Sequence, residues 1–270
     1  MELNSHGSDE LHCLSSEQGC DVAFPSGQLQ ALISENRENE PVFHGGARPV
    51  SVIDVSELVD VSQEIEVERI DTSDWPNDRG YRFVKRLFDI VLSSLALIIL
   101  ALPMCTIAIL IKLDSPGPVL YKQERLGKNG KPFMLMKFRS MYIDAEAGGA
   151  QWATDNDPRV TKIGKILRAS RLDELPQFLQ VVSGDLSLVG PRPERKVFYD
   201  EFEKYIHGFS QRLIVKPGIS GLAQVSGGYD LRPAEKIMYD IEYIKNRSTL
   251  LDFRIILKTI VVVFTHDGAR

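Results

Sequence analysis

"KRLFDIVLSSLALIILALPMCTIAILIKLDSPGP", residues 85–118, is the stretch whose reading decides the architecture. From Ile90 to Ile111 it runs 22 residues without a charge, and roughly 20 apolar residues suffice to cross a bilayer core. Pro103 falls past the middle, where it removes one backbone donor and bends a helix. Basic residues flank both ends, Lys85 and Arg86 before, Lys112, Lys122 and Arg125 after. Cytoplasmic loops carry the excess of Lys and Arg, so both flanks favour the same side of a membrane. Two readings follow. A straight helix would span, whereas a helix broken at Pro103 would re-enter and leave by one face. The hairpin satisfies both flanks but needs a cover for the carbonyls freed at its break; Ser93 and Ser94 lie too far along the chain, and Thr106 is nearer. Cys105 is expected to pack within the run.

Outward from this stretch the chain divides electrostatically. Its net charge of −5 splits into −13 over residues 1–80 and +8 over residues 81–270. The first part combines low hydrophobicity with high charge and is expected to be largely disordered. It is also expected to carry no chemistry and to be dispensable through residue 75. Only "VSVIDVSELVDVSQEIEVERI", residues 50–70, could make a short strand or helix. The basic remainder is drawn to anions such as lipid headgroups, nucleotides and phosphates. It shows no interleaving of aromatic and basic residues, so no nucleic-acid partner is expected. Cys13, Cys20 and Cys105 have neither disulfide-framework nor metal-ligand spacing. No basic stretch followed by an apolar one opens the chain, so no secretory signal is read. The expected organisation is an acidic extension over 1–80, a membrane element over 81–115 and a catalytic body over 116–270.

After the apolar run, "VLYKQ" and "PFMLMKFR" are strand-length segments joined by the turn signal "GKNGK", which predicts a β-hairpin. "GKNGK" lacks the spacing of a P-loop. In the next helix Val160, Ile163, Ile166 and Leu167 share a face, with Lys162, Lys165 and Arg168 opposite. Another is expected from about Glu174 to Val182, starting near Leu172 to Leu175 because proline is tolerated only in a first turn, and ending at Ser183–Gly184. "ERKVFYDEFEKYIHGFSQRL" and "AEKIMYDIEYIKNRS" read as helices on either side of a glycine-rich loop, "VKPGISGLAQVSGGYDLRP". The final "LLDFRIILKTIVVVFT" is too interrupted to span but suits an interfacial helix with Arg254 and Lys258 toward headgroups. The fold class is thus α+β, mostly helical, with a small hairpin and interfacial amphipathic helices.

Asp173 and Glu174 form an adjacent acid pair at the start of the Pro176 helix. The helix dipole favours anions there, which predicts that both are ionised at neutral pH. The plainer alternative is a helix cap beside a solvated first-turn acid. Their company points further. Arg168 lies five residues before Asp173, and Arg192 is fixed between Pro191 and Pro193, a setting suited to holding a phosphate. Lys137 and Arg139 on the hairpin can add to the same field. A carboxylate nucleophile among arginines, beside a metal-binding carboxylate, fits phosphoryl chemistry through an acyl-phosphate intermediate. Mg²⁺ suits a site of one or two carboxylates completed by substrate phosphates.

Taken together, "KRLFDIVLSSLALI", "SPGPVLYKQERLGKNGKPFMLMKFRSM", "DPRVTKIGKILRASRLDELPQFLQVVSGDLSLVGPRPE", "VKPGISGLAQVSGGYD" and "DIEYIKNRSTLLDFRIILKTI" resemble the bacterial sugar transferases, the monotopic phosphoglycosyl transferases, over about residues 81–270 in matching order. The resemblance implies transfer of a sugar-1-phosphate from a UDP-sugar to undecaprenyl phosphate, with release of UMP, as the first step of a surface glycan such as exopolysaccharide, capsule or O-antigen. It implies Asp173 as nucleophile, Glu174 as Mg²⁺ ligand, Arg168 and Arg192 as phosphate-binding groups and Asp240, ahead of Tyr243, as a further family acid. It also implies a re-entrant helix broken at Pro103, held in membrane lipids with the catalytic body on the cytoplasmic face of the bacterial inner membrane. Lys216 and Gln224 in the glycine-rich loop are candidates for nucleotide or sugar contact. The sequence is compatible with a homo-oligomer. Two rival readings are a metal-dependent glycosyltransferase using Asp155–Asn156–Asp157 and an inactive membrane scaffold; the intact acid pair and arginines oppose the second.

Overall fold

A computed structural model describes residues 64–71, 79–145, 157–227 and 231–265. The calls on residues 1–63 of the extension, on Asp155 and Asn156 and on residues 228–230 of the glycine-rich loop lie outside them. In chain order the elements are β1 (Ile65–Glu66), α1 (Arg79–Asp114), β2 (Leu120–Leu126), β3 (Pro132–Phe138), α2 (Lys162–Ala169), α3 (Gln177–Ser183), β4 (Ser187–Val189), α4 (Lys196–Phe202), β5 (Ile206–His207), β6 (Gly218–Ser220), α5 (Leu222–Ser226), α6 (Pro233–Asn246) and α7 (Thr249–Thr265). Short 3₁₀ turns cover Lys128–Gly130, Leu172–Glu174 and Phe209–Ile214. The architecture is mostly helical α+β with three two-stranded sheets among the described residues: β1–β5 and β4–β6 parallel, β2–β3 antiparallel.

Helix α1 has 36 residues, about 54 Å at 1.5 Å per residue. It is long and apolar enough to cross a membrane. A break was expected at Pro103, yet helical conformation continues through it, since proline forfeits a single hydrogen bond. The Thr106 hydroxyl donates to the carbonyl of Leu102 at 3.0 Å, one turn back, and not to Ile99, whose carbonyl the proline leaves free. Cys105, expected to be packed, is exposed, along with Leu95, Ile98, Ile99 and Leu102.

Both ends of α1 are fastened to the rest of the fold. Near its start, Lys85 donates to the Val189 carbonyl and pairs with Asp252, each at 2.9 Å. Arg86 donates to the carbonyls of Val181 and Val182 at 2.6 and 2.8 Å, a cation on the C-terminal end of α3. Asp89 accepts from the Ser187 hydroxyl and the Leu188 N–H. At the other end Ile107 and Ile111 join Phe138 and Leu167 in a buried cluster. Asp114 accepts the N–H of Ile163 in the first turn of α2.

The hairpin forms as expected, with Asn129 in the left-handed region at its turn. In α2 the Thr161 side chain caps by accepting from the Gly164 N–H at 2.9 Å. Leu167 faces the core, whereas Ile166 is 62% exposed; the buried side is built on Ile163, Gly164 and Leu167, and Ile166 turns about 100° away from its neighbour. A Cβ on Gly164 would stand 1.9 Å from the Ser140 carbonyl, so this crossing needs glycine. The segment expected as one helix from Glu194 to Leu213 is instead α4, β5 and a 3₁₀ turn. Gly208, at φ 93, reverses the chain there, and the Glu203 carboxylate accepts from the Gly208 and Ser210 N–H groups at 2.8 Å each. Part of the acidic extension is ordered too: β1 pairs with β5, and Val67 and Ile70 are buried.

Candidate active site

The acid pair does not open a helix. Arg171 takes the left-handed conformation, φ 57, uncommon for a residue with a side chain, and turns the chain out of α2 into the 3₁₀ turn that carries Asp173 and Glu174. Pro176 then starts α3, which stops at Gly184. Neither acid caps a helix, which corrects the cap alternative. The hairpin brings Lys137 over the pair: its Nζ lies 2.9 Å from Glu174 and 3.9 Å from Asp173. Arg192 reaches in from the proline-flanked loop with both terminal nitrogens on the Glu174 carboxylate.

Backbone contacts hold that loop. The Gly190 N–H donates to Ser220 and the Gly218 N–H to Pro191, so β4 and β6 anchor its start. Beyond it, the Arg125 guanidinium donates to the Pro193 carbonyl and to Glu194. From beneath, Arg212 donates to the Arg192 carbonyl at 3.1 Å and pairs with Asp240 at 2.5 Å. Asp240 and Arg212 are among the most buried charged residues.

These environments set the charges. Burial raises the Asp173 carboxyl above the ordinary aspartate range, and the neighbouring Glu174 charge adds to that, while Lys137, Arg192 and Arg168 pull the other way. Both acids were expected to be held ionised by a helix dipole; their surroundings instead treat the two unequally. Burial also disfavours the Glu174 charge, but Arg192 and Lys137 outweigh it and hold that carboxyl far below its usual value. Asp240 is pushed up to about 6 by burial against the pull of Arg212.

Asp173 and Glu174 line a cavity of about 350 Å³ that Arg168, Arg171, Arg192 and Arg195 also border. Of the sequence-stated candidates it thus gathers Asp173, Glu174, Arg168, Arg192 and Lys137, with Gln224 on the wall. Arg139 borders it as well, but its guanidinium donates to the carbonyls of Ser115 and Pro116 at 2.7 Å each. It closes the end of α1 rather than waiting for a phosphate. Lys216 is not on the cavity; it sits by Gly184 and Arg86, and burial and the Arg86 charge lower its pKa. Asp240 lies behind the wall. Asp157 of the Asp-x-Asp triplet pairs closely with Arg159.

Sequence reading missed Gln177, Arg125, Lys236 and Arg212. Gln177 is 2% exposed, lines the cavity and has a side-chain nitrogen without a hydrogen-bond partner. Its position one helical turn after Asp173 was a legible signal. Arg212 had none, because its partners, the Arg192 carbonyl and Asp240 of α6, lie far from it in sequence.

The profile of the bacterial sugar transferases matches residues 80–266. The chain belongs to the bacterial sugar transferase family. This sugar transferase is 48% identical over 193 residues to the UDP-N-acetylgalactosamine-undecaprenyl-phosphate N-acetylgalactosaminephosphotransferase of Aeromonas hydrophila, covering 70% of the present chain and 46% of that relative. It is 42% identical over 201 residues to the UDP-glucose:undecaprenyl-phosphate glucose-1-phosphate transferase of Escherichia coli K12, covering 73% and 43%. It is also 44% identical over 192 residues to the exopolysaccharide production protein PSS of Rhizobium leguminosarum bv. phaseoli, covering 68% and 96%. The sugar transferase chain therefore spans less than half of the first two relatives and nearly all of the third.

Proposed function

We propose that this sugar transferase moves a sugar-1-phosphate from a UDP-sugar to undecaprenyl phosphate by way of a covalent phosphosugar on Asp173, initiating a surface glycan. The observation that carries this reading is a nearly buried carboxylate beside a second one neutralised by Arg192 and Lys137, on a cavity bordered by arginines. In the first step an Asp173 oxygen attacks the phosphorus that bears the sugar. The bond from that phosphorus to the bridging oxygen breaks, and UMP leaves. In the second, a phosphate oxygen of undecaprenyl phosphate attacks the same phosphorus, the Asp173–phosphorus bond breaks, and the carboxylate is restored. Each step exchanges one phosphorus–oxygen bond for another, so positioning and charge neutralisation do most of the work. Burial keeps Asp173 weakly solvated and hence reactive once ionised. Arg168 and Arg192 face the donor's phosphates, and the free amide nitrogen of Gln177 offers a donor to a substrate oxygen.

Two adjacent carboxylates fit Mg²⁺, which takes one or two protein oxygens plus phosphate oxygens. Among the described residues no cluster of three or more metal-ligating side chains exists, so substrate phosphate oxygens would have to complete the ion's ligand set. Glu174, held deprotonated, would bind it, and the ion would neutralise diphosphate charge.

Although α1 stays helical through Pro103, both its ends are fastened to one body and its apolar middle is exposed. These features support a bent, re-entrant helix that enters and leaves by one face, with the basic flanks favouring the cytoplasmic side of the inner membrane. There the acceptor's phosphate lies at headgroup depth. The exposed Leu250, Phe253, Leu257 and Ile260 of α7 support an interfacial helix beside it. Asp173→Asn is expected to lower UMP release by a factor on the order of 10³ or more and to abolish the covalent adduct in an intact-mass measurement with UDP-sugar alone. Substantial turnover by that variant would remove Asp173 as nucleophile. Release of UDP instead of UMP would favour direct glycosyl transfer.

A further inference from the structure

We propose that residues 64–71, outside the stretch matched to the family and part of the acidic extension that was expected to be dispensable, instead form a positioning strap for the active site. The inference rests on the transfer reading above. The strap adds a parallel strand to β5: the Ile65 N–H donates to Tyr205 and the Val67 N–H to His207, both at 2.9 Å. Gln211 grips it from the next turn, its side-chain oxygen accepting the Ile70 N–H at 2.6 Å and its nitrogen donating to the Glu68 carbonyl at 3.3 Å. Lys245 pairs with Glu68 at 2.5 Å. Val67 and Ile70 are 4% and 9% exposed, beside Ile206 at 0% and Phe209 at 1%.

The 3₁₀ turn so covered, Phe209–Ile214, carries Arg212, which holds the carbonyl of Arg192; Arg192 in turn holds Glu174. The strap therefore stands three links from the acid pair, with no substrate contact of its own. Ordering eight residues for two buried side chains and a few hydrogen bonds leaves a small balance, so a modest change can detach it. Small displacements of positioning groups are costly in rate.

The test uses the full chain carrying Val67→Asp with Ile70→Asp, and separately Gln211→Ala, with Val67→Ile as the conservative control. UMP-release kinetics and amide hydrogen exchange are both read. In the double variant exchange is expected to rise at 206–212 and at 190–194 but not at 177–183. Its kcat falls about tenfold with donor KM within about twofold, Gln211→Ala moves the same readouts less, and Val67→Ile keeps both near the starting values. Faster exchange at 206–212 with unchanged kcat and unchanged 190–194 overturns the proposal. If 177–183 also loosens in the double variant, Gln211→Ala decides on the same terms. Absence of UMP release from the unaltered chain would instead remove the transfer reading, and exchange at 190–194 would still decide the strap.

Discussion

Asp173 and Glu174 are neighbours in sequence with opposite electrostatic surroundings. Glu174 is enclosed by two cations and stays charged; Asp173 is buried with Lys137 at longer range, and its carboxyl is raised. A raised carboxyl contributes stability that is present below its unfolded value near 4 and lost as pH rises through its folded value, so ionising Asp173 costs stability while creating the proposed nucleophile. The acid limb of kcat/KM for UMP release should therefore lie above the ordinary aspartate range. Lys137 is the largest influence lowering that pKa. Lys137→Met should move the limb to higher pH, checked by a pH–rate profile from pH 5 to 9, as well as lower the plateau.

At the scale of elements, close crossings decide where the site residues stand. Helix α2 presses on Ser140 at the end of the hairpin, and its last turn carries Arg168. Gly164→Ala has no room and should destabilise by about 1–3 kcal/mol, measured by urea unfolding in detergent. Because the crossing sets Arg168 and the hairpin's Lys137 relative to Asp173, activity should fall in the folded fraction too. The polar first turns of α1 work similarly: Lys85, Arg86 and Asp89 bond to α3, β4 and α7. They fasten the long apolar helix to the elements beside the site.

For the whole molecule, the fastening of both ends of α1 to one body is the governing constraint. With its start on α3 and α7 and its end on α2 and β3, α1 has both flanks on one body, and the re-entrant reading proposed above predicts both on one side of a membrane. With Cys13, Cys20 and Cys105 replaced, single cysteines at Arg82 and Lys112 should both react with a membrane-impermeant maleimide in inside-out vesicles and neither in right-side-out ones. Labelling of the two from opposite sides would establish a spanning helix.

Sequence alone determined the elements whose signals are local. The apolar run, the hairpin with its Asn-Gly turn, α6, α7 and the Asp173–Glu174, Arg168 and Arg192 set were legible from spacing, punctuation and family resemblance. Tertiary structure alone decided which charges meet. Arg139 and Arg192 are both arginines near the pair, yet one closes a helix end and the other holds Glu174. The single helix read over residues 194–213 became three elements because a glycine at positive φ and a buried edge outweighed helical periodicity. Strand β1 was legible only as an option, since a two-residue strand exists through its partner. Burial is a property of the assembled fold, so the unequal charging of two adjacent acids could not be read from their order in the chain.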